Sequence, residues 1–244
     1  MTIARIYQQV DLSEGALVTL DDVASHHLAR VLRAKIQDPV TVFNGSGGEY
    51  ASVIETITKK SVTLRINKFN AREAESPLNL YLAQGIARGE KMDYIIQKAV
   101  ELGVKKIIPL LTERSTVKLA QDRREKRWQH WQSIIISACE QCGRNRLPEL
   151  APVQNFRDWV SAAQADQCFV LAPLSTSKLR DYQVKPSASV ILLIGPEGGL
   201  SEPEINAALT RQFSALNLGP RILRTETAAV AALSALQCSF GDMV

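Results

Sequence analysis

The sequence predicts an α/β protein in which a mostly parallel sheet, with helices on both faces, follows a smaller β-rich domain. Short β-branched runs fill the first part of the chain, whereas apolar strands alternate with amphipathic helices from residue 78 onward. A polar segment that ends in proline, residues 70–77, separates the two patterns and is a candidate linker. In a chain of 244 residues we therefore expect one domain over residues 1–74 and a second over residues 75–244.

The first domain is expected to be a small β-barrel. Its strands are rich in Val, Thr and Ile with partial alternation, and they are predicted at residues 16–20, 39–43, 50–54 and 61–66. Asn44–Gly48 is typical of a hairpin turn between two of these strands. One helix is predicted over Ser25–Arg33, with Ser25 as its N-cap.

The second domain is expected to alternate strands and helices. Apolar runs predict strands at residues 78–84, 105–111, 168–172, 190–194 and 213–219. Periodicity and capping residues predict helices at residues 91–102 and 123–142, after Ser201, and at 226–240 with Thr225 as a cap. Such alternation favours a parallel sheet.

Two of the predicted strands end in glycine turns. Val190–Ile194 leads directly into Gly195–Gly199, and Ser201 with Glu204 forms a capping box at the next helix. The strand at 213–219 also ends in glycine before a helix. Because glycine has no Cβ, a ligand can lie against bare backbone at such strand ends. The alternative is that each is an ordinary turn, but that interpretation weakens when both turns are considered together.

Composition excludes several classes of protein. Hydrophobic residues make up 45% and charged residues 22%, which is typical of a globular protein. No apolar run reaches membrane-spanning length and the N-terminus lacks a secretory signal, so we expect a cytoplasmic protein. Four cysteines are too few for a disulfide framework, and the single pair Cys139 and Cys142 has no partners for a metal site. No GxGxxG follows the first strand of the second domain and no P-loop occurs, which excludes the commoner nucleotide-binding folds.

Positive charge is concentrated in the middle of the chain. Residues 85–146 carry 13 basic and 7 acidic side chains, whereas residues 1–75 are balanced and residues 147–244 are net negative. A polyanion would therefore bind this middle segment most readily. The alternative is a set of solvated helix faces.

At the glycine turns the sequence resembles the bacterial 16S rRNA (uracil(1498)-N3)-methyltransferase family, which belongs to the SPOUT class. IGPEGGLSEPE at 194–204 and LGPRILRTETA at 218–228 carry the resemblance. Further matches cover nearly the whole chain: Lys91 and Lys98 before Glu101–Gly103, the sequence TERS at 112–115, Glu140, Gln141, Arg144 and Pro148, and HxxxVLR at His27–Arg33. Cys142 departs mildly from the family pattern, which more often has a small hydroxyl residue there.

The resemblance implies a fold and a cofactor. Residues 75–244 would form a trefoil-knotted domain that binds S-adenosylmethionine (SAM), and residues 1–74 a PUA-like β-barrel that binds RNA. The implied cofactor-binding residues are Ile194, Gly195, Pro196, Glu197, Gly198, Gly199, Leu218, Gly219, Ile222, Leu223, Arg224 and Thr227. The family forms homodimers through its knotted domain, and the small apolar residues of helix 226–240 suit close helix packing.

The implied reaction sets requirements on the side chains. Uracil N3 is a weakly acidic imide, so its proton must leave and the charge that develops on O2 and O4 must be stabilised. Arg114, Arg144 and Arg224 are candidates for stabilising that charge. Glu140 or Glu226 is a candidate proton acceptor, with direct loss of the proton to water as the alternative.

RNA contacts are also implied by the resemblance, and the partner would be 16S rRNA within the small subunit. The candidates are Arg5, His27, Arg30, Arg33, Lys91, Arg144 and Arg146. The alternative for Arg5 and Arg33 is pairing with Asp21, Asp22 or Asp38. Two other functions stay open at this point: a SPOUT enzyme acting on tRNA or 23S rRNA, and a non-catalytic RNA-binding protein.

Overall fold

The structure is a computed structural model that describes residues 3–115, 121–172 and 175–243, with the backbone alone for residues 121–123. The chain forms two compact units. The first comprises Met1–Glu75 together with Cys139–Leu147, and the second comprises Ser76–Ala138 together with Pro148–Val244. The sequence predicts the division near residue 75 but gives no sign that a later segment packs with the first unit.

The first unit is built on a five-stranded sheet. Its strands are β1 (Ala4–Tyr7), β2 (Leu17–Thr19), β3 (Pro39–Phe43), β4 (Glu49–Ile57) and β5 (Val62–Asn70), in the order β1-β3-β4-β5-β2. The β1–β3 pair is parallel and the other pairs are antiparallel. The sequence predicts four of these strands; β1 was missed because its four residues lack a clear alternating pattern.

The two edge strands of this sheet approach each other at one end. The Gln8 side-chain amide, just after β1, donates to the Asp21 carboxylate at 2.9 Å, and the Asp21 backbone N–H donates back to Gln8 Oε1 at 3.0 Å. Asp21 follows β2, so this pair of hydrogen bonds joins the ends of β1 and β2. The sheet therefore curls around a core that includes Ile6, Val42 and Leu64, as expected for a small barrel.

The helix of the first unit differs from the prediction. Helix α1 spans Asp22–His26 and continues as a π-helical turn over His27–Val31. The N-cap is Asp21, whose carboxylate accepts the Ala24 N–H at 2.8 Å, so the prediction of Ser25 as cap is wrong. Asp21 prevails because it lies at the end of the incoming strand, three residues before a free N–H.

Ser25 instead ties this helix to the sheet. It is buried inside α1, where its hydroxyl donates to the Leu20 carbonyl and accepts the Val62 N–H. The helical segment ends before Arg33, whose φ of 53° lies in the left-handed region. A helix cannot continue through that conformation.

The second unit is built on a seven-stranded sheet in which every described pair is parallel. Its order is β12-β10-β11-β6-β7-β8, with β9 also pairing with β7. The strands are β6 (Asn79–Gly85), β7 (Lys106–Leu111), β8 (Glu149–Leu150), β9 (Gln154–Asn155), β10 (Gln167–Leu171), β11 (Ser189–Ile194) and β12 (Ser214–Leu216). The predicted parallel sheet is therefore present, with the two short strands β8 and β9 added.

Five helices accompany this sheet in the described part of the chain: α2 (Glu90–Glu101), α3 (Gln121–Cys142), α4 (Phe156–Ala162), α5 (Glu202–Thr210) and α6 (Thr225–Phe240), with a 3₁₀ turn at Leu179–Asp181. The sequence predicts all but α4. Phe156 and Trp159 of α4 are buried in the core, where Trp159 contacts Phe213 edge to face. Within the described ranges, none of the helices has the length and apolar character of a membrane span.

Candidate functional site

The two glycine turns lie at the same edge of the second sheet. One follows β11 at Gly195, and the other follows β12. The sheet is parallel, so the carboxyl ends of its strands meet at one edge, which is where α/β folds bind ligands. The loops after β6 and β7 reach this edge as well.

A buried hydrogen-bond cluster joins three of these loops. The Gly195 carbonyl accepts the Thr225 hydroxyl at 2.7 Å and the Gln84 side-chain amide at 3.3 Å. The same amide donates to Thr225 Oγ1 at 3.0 Å. Gln84 and Thr225 are both buried, so the end of β6 and the start of α6 hold the first turn in place. The prediction of Thr225 as a helix cap is wrong, because Arg224 is the N-cap and the Thr225 hydroxyl serves Gly195 instead.

Sequence reasoning missed Gln84. A signal was available, because Gln84 is a polar residue at the end of an otherwise apolar strand. A buried amide in such a place requires partners, and backbone carbonyls of a neighbouring turn are suitable ones.

Two glycines leave the backbone open to a ligand. Gly199 has a φ of 69° and Gly219 a φ of 112°, and a Cβ at either position would meet no atom within 4 Å. Gly195 has the opposite role, because a Cβ there would lie 2.6 Å from the Leu200 nitrogen. The first turn therefore closes tightly at Gly195 and presents bare backbone to open space at Gly199.

The loop after β7 borders the first turn. The predicted capping box is present, since Ser201 N–H donates to Glu204 Oε2 at 2.9 Å and the Glu204 N–H donates to Ser201 Oγ. The other Glu204 oxygen accepts the Glu113 N–H at 2.8 Å. Beside it, the exposed Arg114 side chain donates to the Gly198 carbonyl at 3.0 Å. These hydrogen bonds hold the TERS segment, residues 112–115, against the glycine turn at residues 195–199 and the helix that follows it.

Lys91 forms a charged cluster with Glu197 of the first glycine turn and Glu226 of helix α6. Its ammonium group is 3.5 Å from the Glu197 carboxylate and 3.9 Å from the Glu226 carboxylate. Burial alone would raise the pKa of Glu197, but the hydrogen bond from the Arg88 N–H and the charge of Lys91 outweigh it and lower that pKa. Glu197 is therefore ionised at neutral pH, and Lys91, a candidate RNA contact, is shared between two carboxylates.

The remaining cofactor candidates range from buried to fully exposed. Ile194 and Pro196 are buried, and Leu218, Gly219 and Leu223 are partly buried. Ile222 is 87% exposed, and Arg224 and Thr227 are exposed as well.

Arg144 and Glu140, the other catalytic candidates, belong to the first unit. The Arg144 guanidinium is 3% exposed and forms a bidentate pair with Glu75, at 2.9 Å and 2.6 Å. The Glu140 carboxylate accepts the Tyr7 N–H at 2.9 Å, and burial raises the pKa of Glu140. This geometry favours a structural role for Arg144 over contact with a base.

Other arginines of the first unit are also paired. Arg5 donates to Glu49 at 2.5 Å and to Asn145 at 2.7 Å, so the alternative of pairing with Asp21, Asp22 or Asp38 is wrong for Arg5. Arg146 is paired with Glu73. His27, Arg30 and Arg33 are exposed, and none of them forms an ion pair within the described residues.

Cys139 of the CxxC pair has the character of a structural thiol. It is buried, and burial raises its pKa to about 12, which makes it a poor nucleophile for disulfide exchange at neutral pH. Across the described ranges, no group of three or more His, Cys, Asp or Glu side chains is arranged to hold a metal ion.

Comparison with known proteins gives a consistent result. A family model described as an RNA methyltransferase domain matches residues 74–237, and one described as an RNA methyltransferase PUA domain matches residues 20–67. Ribosomal RNA small subunit methyltransferase E of Buchnera aphidicola is 38% identical, over 99% of this chain and 98% of its own length. The Bacillus subtilis protein of that name is 32% identical, over 94% of this chain and 92% of its own. The chain belongs to the ribosomal RNA small subunit methyltransferase E family.

Solved structures of similar proteins have the same fold. The family's Neisseria gonorrhoeae structure, bound to SAM, aligns with a TM-score of 0.92 and 37% identity over 100% of both chains. A Legionella pneumophila methyltransferase in complex with SAM aligns with a TM-score of 0.96 and 43% identity, over 99% of this chain and 100% of that chain. The fold class predicted from the sequence, a SPOUT methyltransferase domain after a PUA-like β-domain, is confirmed.

Proposed function

We propose that this chain transfers a methyl group from SAM to N3 of a uridine in 16S rRNA of the small ribosomal subunit. The observation that carries the proposal is the pair of glycine turns at one sheet edge, where Gly199 and Gly219 turn bare backbone toward open space. Membership of a family named for methylation of small-subunit rRNA supports the choice of substrate. An enzyme of this kind works in the cytoplasm, where ribosomes assemble.

The turns suit a cofactor with many hydrogen-bonding groups. Residues 195–199 and 218–224 would hold SAM through backbone N–H and C=O groups, because a Cβ at Gly199 or Gly219 would meet no atom within 4 Å. SAM supplies an electrophilic methyl group, and its sulfonium sulfur leaves readily as a neutral thioether. The protein must position SAM relative to the uracil. Hydrogen bonds among Gln84, Thr225 and Gly195 fix the first glycine turn before SAM binds.

Three of the residues that are candidates for contacting the target uracil lie in the second unit, as the two turns do. Arg114 is anchored to the Gly198 carbonyl through one guanidinium nitrogen, and its other donors are available for a uracil oxygen. Arg224 is exposed at the start of α6. Next to it, Glu226 Oε2 is buried, forms no hydrogen bond within the described residues and lies 3.9 Å from the Lys91 ammonium group. The Glu226 carboxylate therefore keeps acceptor capacity for the N3 proton. These placements favour Glu226 over Glu140 as the proton acceptor, with loss of the proton to water as the competing route.

The first unit would bind RNA and the second would carry out the chemistry. We place segment 139–147 with the RNA-binding unit, because it packs there through Glu140, Arg144 and Asn145. We also propose a homodimer through the second unit. The half-buried face of α6 carries Ala228, Ala231 and Ala235, small residues that allow a second helix to approach closely.

Two assays test this function together. Calorimetric titration with SAM should give one site per chain. Incubation with labelled SAM should then transfer label to 16S rRNA or 30S particles, and not to 23S rRNA or tRNA. SAM binding with label on tRNA or 23S rRNA would establish another SPOUT activity, and RNA binding without SAM binding would establish a non-catalytic protein.

A further inference from the structure

A second concave surface lies entirely within the first unit. It is an open cleft of about 620 Å³, within the range of roughly 300–1,000 Å³ for ligand sites. One wall is α1 with the π-helical turn, and the other is the turn that joins β4 to β5. We call it the basic cleft, because His26, Arg30, Lys59 and Lys60 line it, with Asp22 as the carboxylate among the lining residues.

The two walls of the basic cleft are held together by hydrogen bonds. The Val62 N–H donates to Ser25 Oγ at 3.1 Å, and the Leu20 N–H donates to the Val62 carbonyl at 2.9 Å. In the β4–β5 turn, Thr58 Oγ1 accepts the N–H groups of Lys60 and Ser61. Lys59 and Lys60 therefore extend from a turn in which the N–H groups of Thr58, Lys60 and Ser61 are hydrogen-bonded.

The cations of the basic cleft differ from five of the other six arginines of this unit, Arg33 being the exception. Arg5, Arg65, Arg72, Arg144 and Arg146 each form an ion pair with a glutamate. Arg30, Lys59 and Lys60 form none within the described residues. A phosphate that bound a paired arginine would have to compete with a carboxylate, whereas the cleft cations exchange only water and counterions.

We propose that the basic cleft binds the sugar–phosphate backbone of the substrate RNA. The inference rests on the proposed function, because it takes RNA to be the substrate. Exposed cations on both walls of an open cleft, Arg30 on one and Lys59 and Lys60 on the other, suit a chain of phosphates. Such binding draws on counterion release and needs no buried donor for one anion. Phosphate contacts of this kind position an RNA without reading its sequence.

The proposal differs from the expectation drawn from the sequence. That expectation included Arg30, which lines the cleft, but left out Lys59, Lys60 and His26. Its other RNA contacts, which do not line the cleft, were Arg5, His27, Arg33, Lys91, Arg144 and Arg146. Lys59 and Lys60 have no motif around them, and only the fold brings their turn beside Arg30.

The test compares two double variants of the full-length protein. Lys59→Ala/Lys60→Ala removes two charges from the basic cleft, and Lys35→Ala/Lys68→Ala removes two unpaired charges from the same unit outside it. Affinity for 16S rRNA is measured between 50 and 200 mM salt. The cleft variant should reduce the slope of log K against log salt by about 1.5, at roughly 0.7–0.9 per lost phosphate contact. The control should change that slope by less than about 0.5, and both variants should bind SAM normally.

Two results would overturn the proposal. Equal losses in both variants would mean that overall charge matters and the cleft does not, and an unchanged slope in the cleft variant would remove the cleft from RNA binding. Methyl transfer by the wild type tests the proposed function separately, because an inactive wild type can still show the difference between the two variants.

Discussion

The glycine turns and the basic cleft offer different things to a ligand. At the turns, backbone faces open space, and two of the nearby cations are already engaged: Lys91 with two carboxylates and Arg114 with a carbonyl. In the cleft, the N–H groups of Lys60, Ser61 and Val62 are hydrogen-bonded, and the cations have no ion-pair partners in the described structure. A backbone site selects a ligand by shape, whereas a site of unpaired cations selects by charge and weakens as salt rises. The comparison thus distinguishes a small-molecule site from a polyanion site in one chain.

The largest expected effect concerns Arg144, which lies in neither site. Arg144→Ala leaves the Glu75 carboxylate buried without its partner, and should lower the free energy of unfolding by about 3–5 kcal/mol. Urea denaturation measures this, with Arg144→Ala/Glu75→Ala as the control that should recover part of the loss. An unchanged midpoint with methyl transfer abolished would instead place Arg144 at the reacting base.

The next effect tests the backbone character of the turns. Gly199→Val puts a branched side chain into the open space beside the turn, and should weaken SAM binding at least 100-fold, which is about 2.7 kcal/mol. Gly15→Val is the matched control, because Gly15 has a φ of 82° with no atom near its Cβ but lies in the first unit. Both variants should lose similar stability from the strained φ, and only Gly199→Val should lose SAM in calorimetry. Normal SAM binding by Gly199→Val would make this loop an ordinary turn.

A smaller effect tests the cluster beneath the first turn. Gln84→Leu removes the amide that reaches the Gly195 carbonyl, while Thr225 still donates to that carbonyl. We expect SAM affinity to fall about 5–10-fold, in line with the roughly 1 kcal/mol of one hydrogen bond.

Gln237→Leu is the control for Gln84→Leu. Gln237 is also a buried glutamine of the second unit, but it bonds to Leu102 and Ser76. The Gln237→Leu variant should lose about 1–3 kcal/mol of the free energy of unfolding and keep its SAM affinity. Equal SAM affinities for the two variants would contradict a positioning role for Gln84.

The smallest effect is a pH dependence in the first unit. Burial raises the pKa of Glu140 in the folded protein above its ordinary value of 4.5. The protonated group therefore contributes its full stability below pH 4.5, and that contribution is lost as the pH rises through the pKa of the folded state. Glu140→Gln keeps an acceptor for the Tyr7 N–H and removes the charge. It should therefore stabilise the protein slightly at pH 7 and make no difference near pH 3, as measured by thermal melting. A stabilisation that grows toward acid would show that another group is responsible.

The parts of the fold that could be predicted are those whose signal is local. Strand β3 lies at the predicted residues 39–43, and β11 differs from its prediction by one residue, because both are runs of apolar or β-branched side chains. Helix α4 had a signal that was passed over, since Phe156, Trp159 and Val160 recur at helical spacing. Strands β8 and β9 have two residues each, too few to show any period.

The rest depended on contacts between residues distant in sequence. Segment 139–147 packs with the first unit through pairs such as Arg144 with Glu75, which are 69 residues apart. The glycine turns could be predicted because glycine is visible in the sequence at the positions where the backbone must be free of side chains. No pattern along the chain could show that Arg5 is paired with Glu49, or that Arg30 has no such partner among the residues that the structure describes.

The central claim is methyl transfer to uridine N3, and one measurement tests it directly. Small subunits from a strain that lacks the gene for this protein are incubated with the purified protein and SAM, and their 16S rRNA is digested and mapped by mass spectrometry. We expect one additional methyl group, in one oligonucleotide, on a nucleoside that coelutes with 3-methyluridine. A methyl group on the ribose, on another base or at C5 of uridine, or none at all, would contradict it.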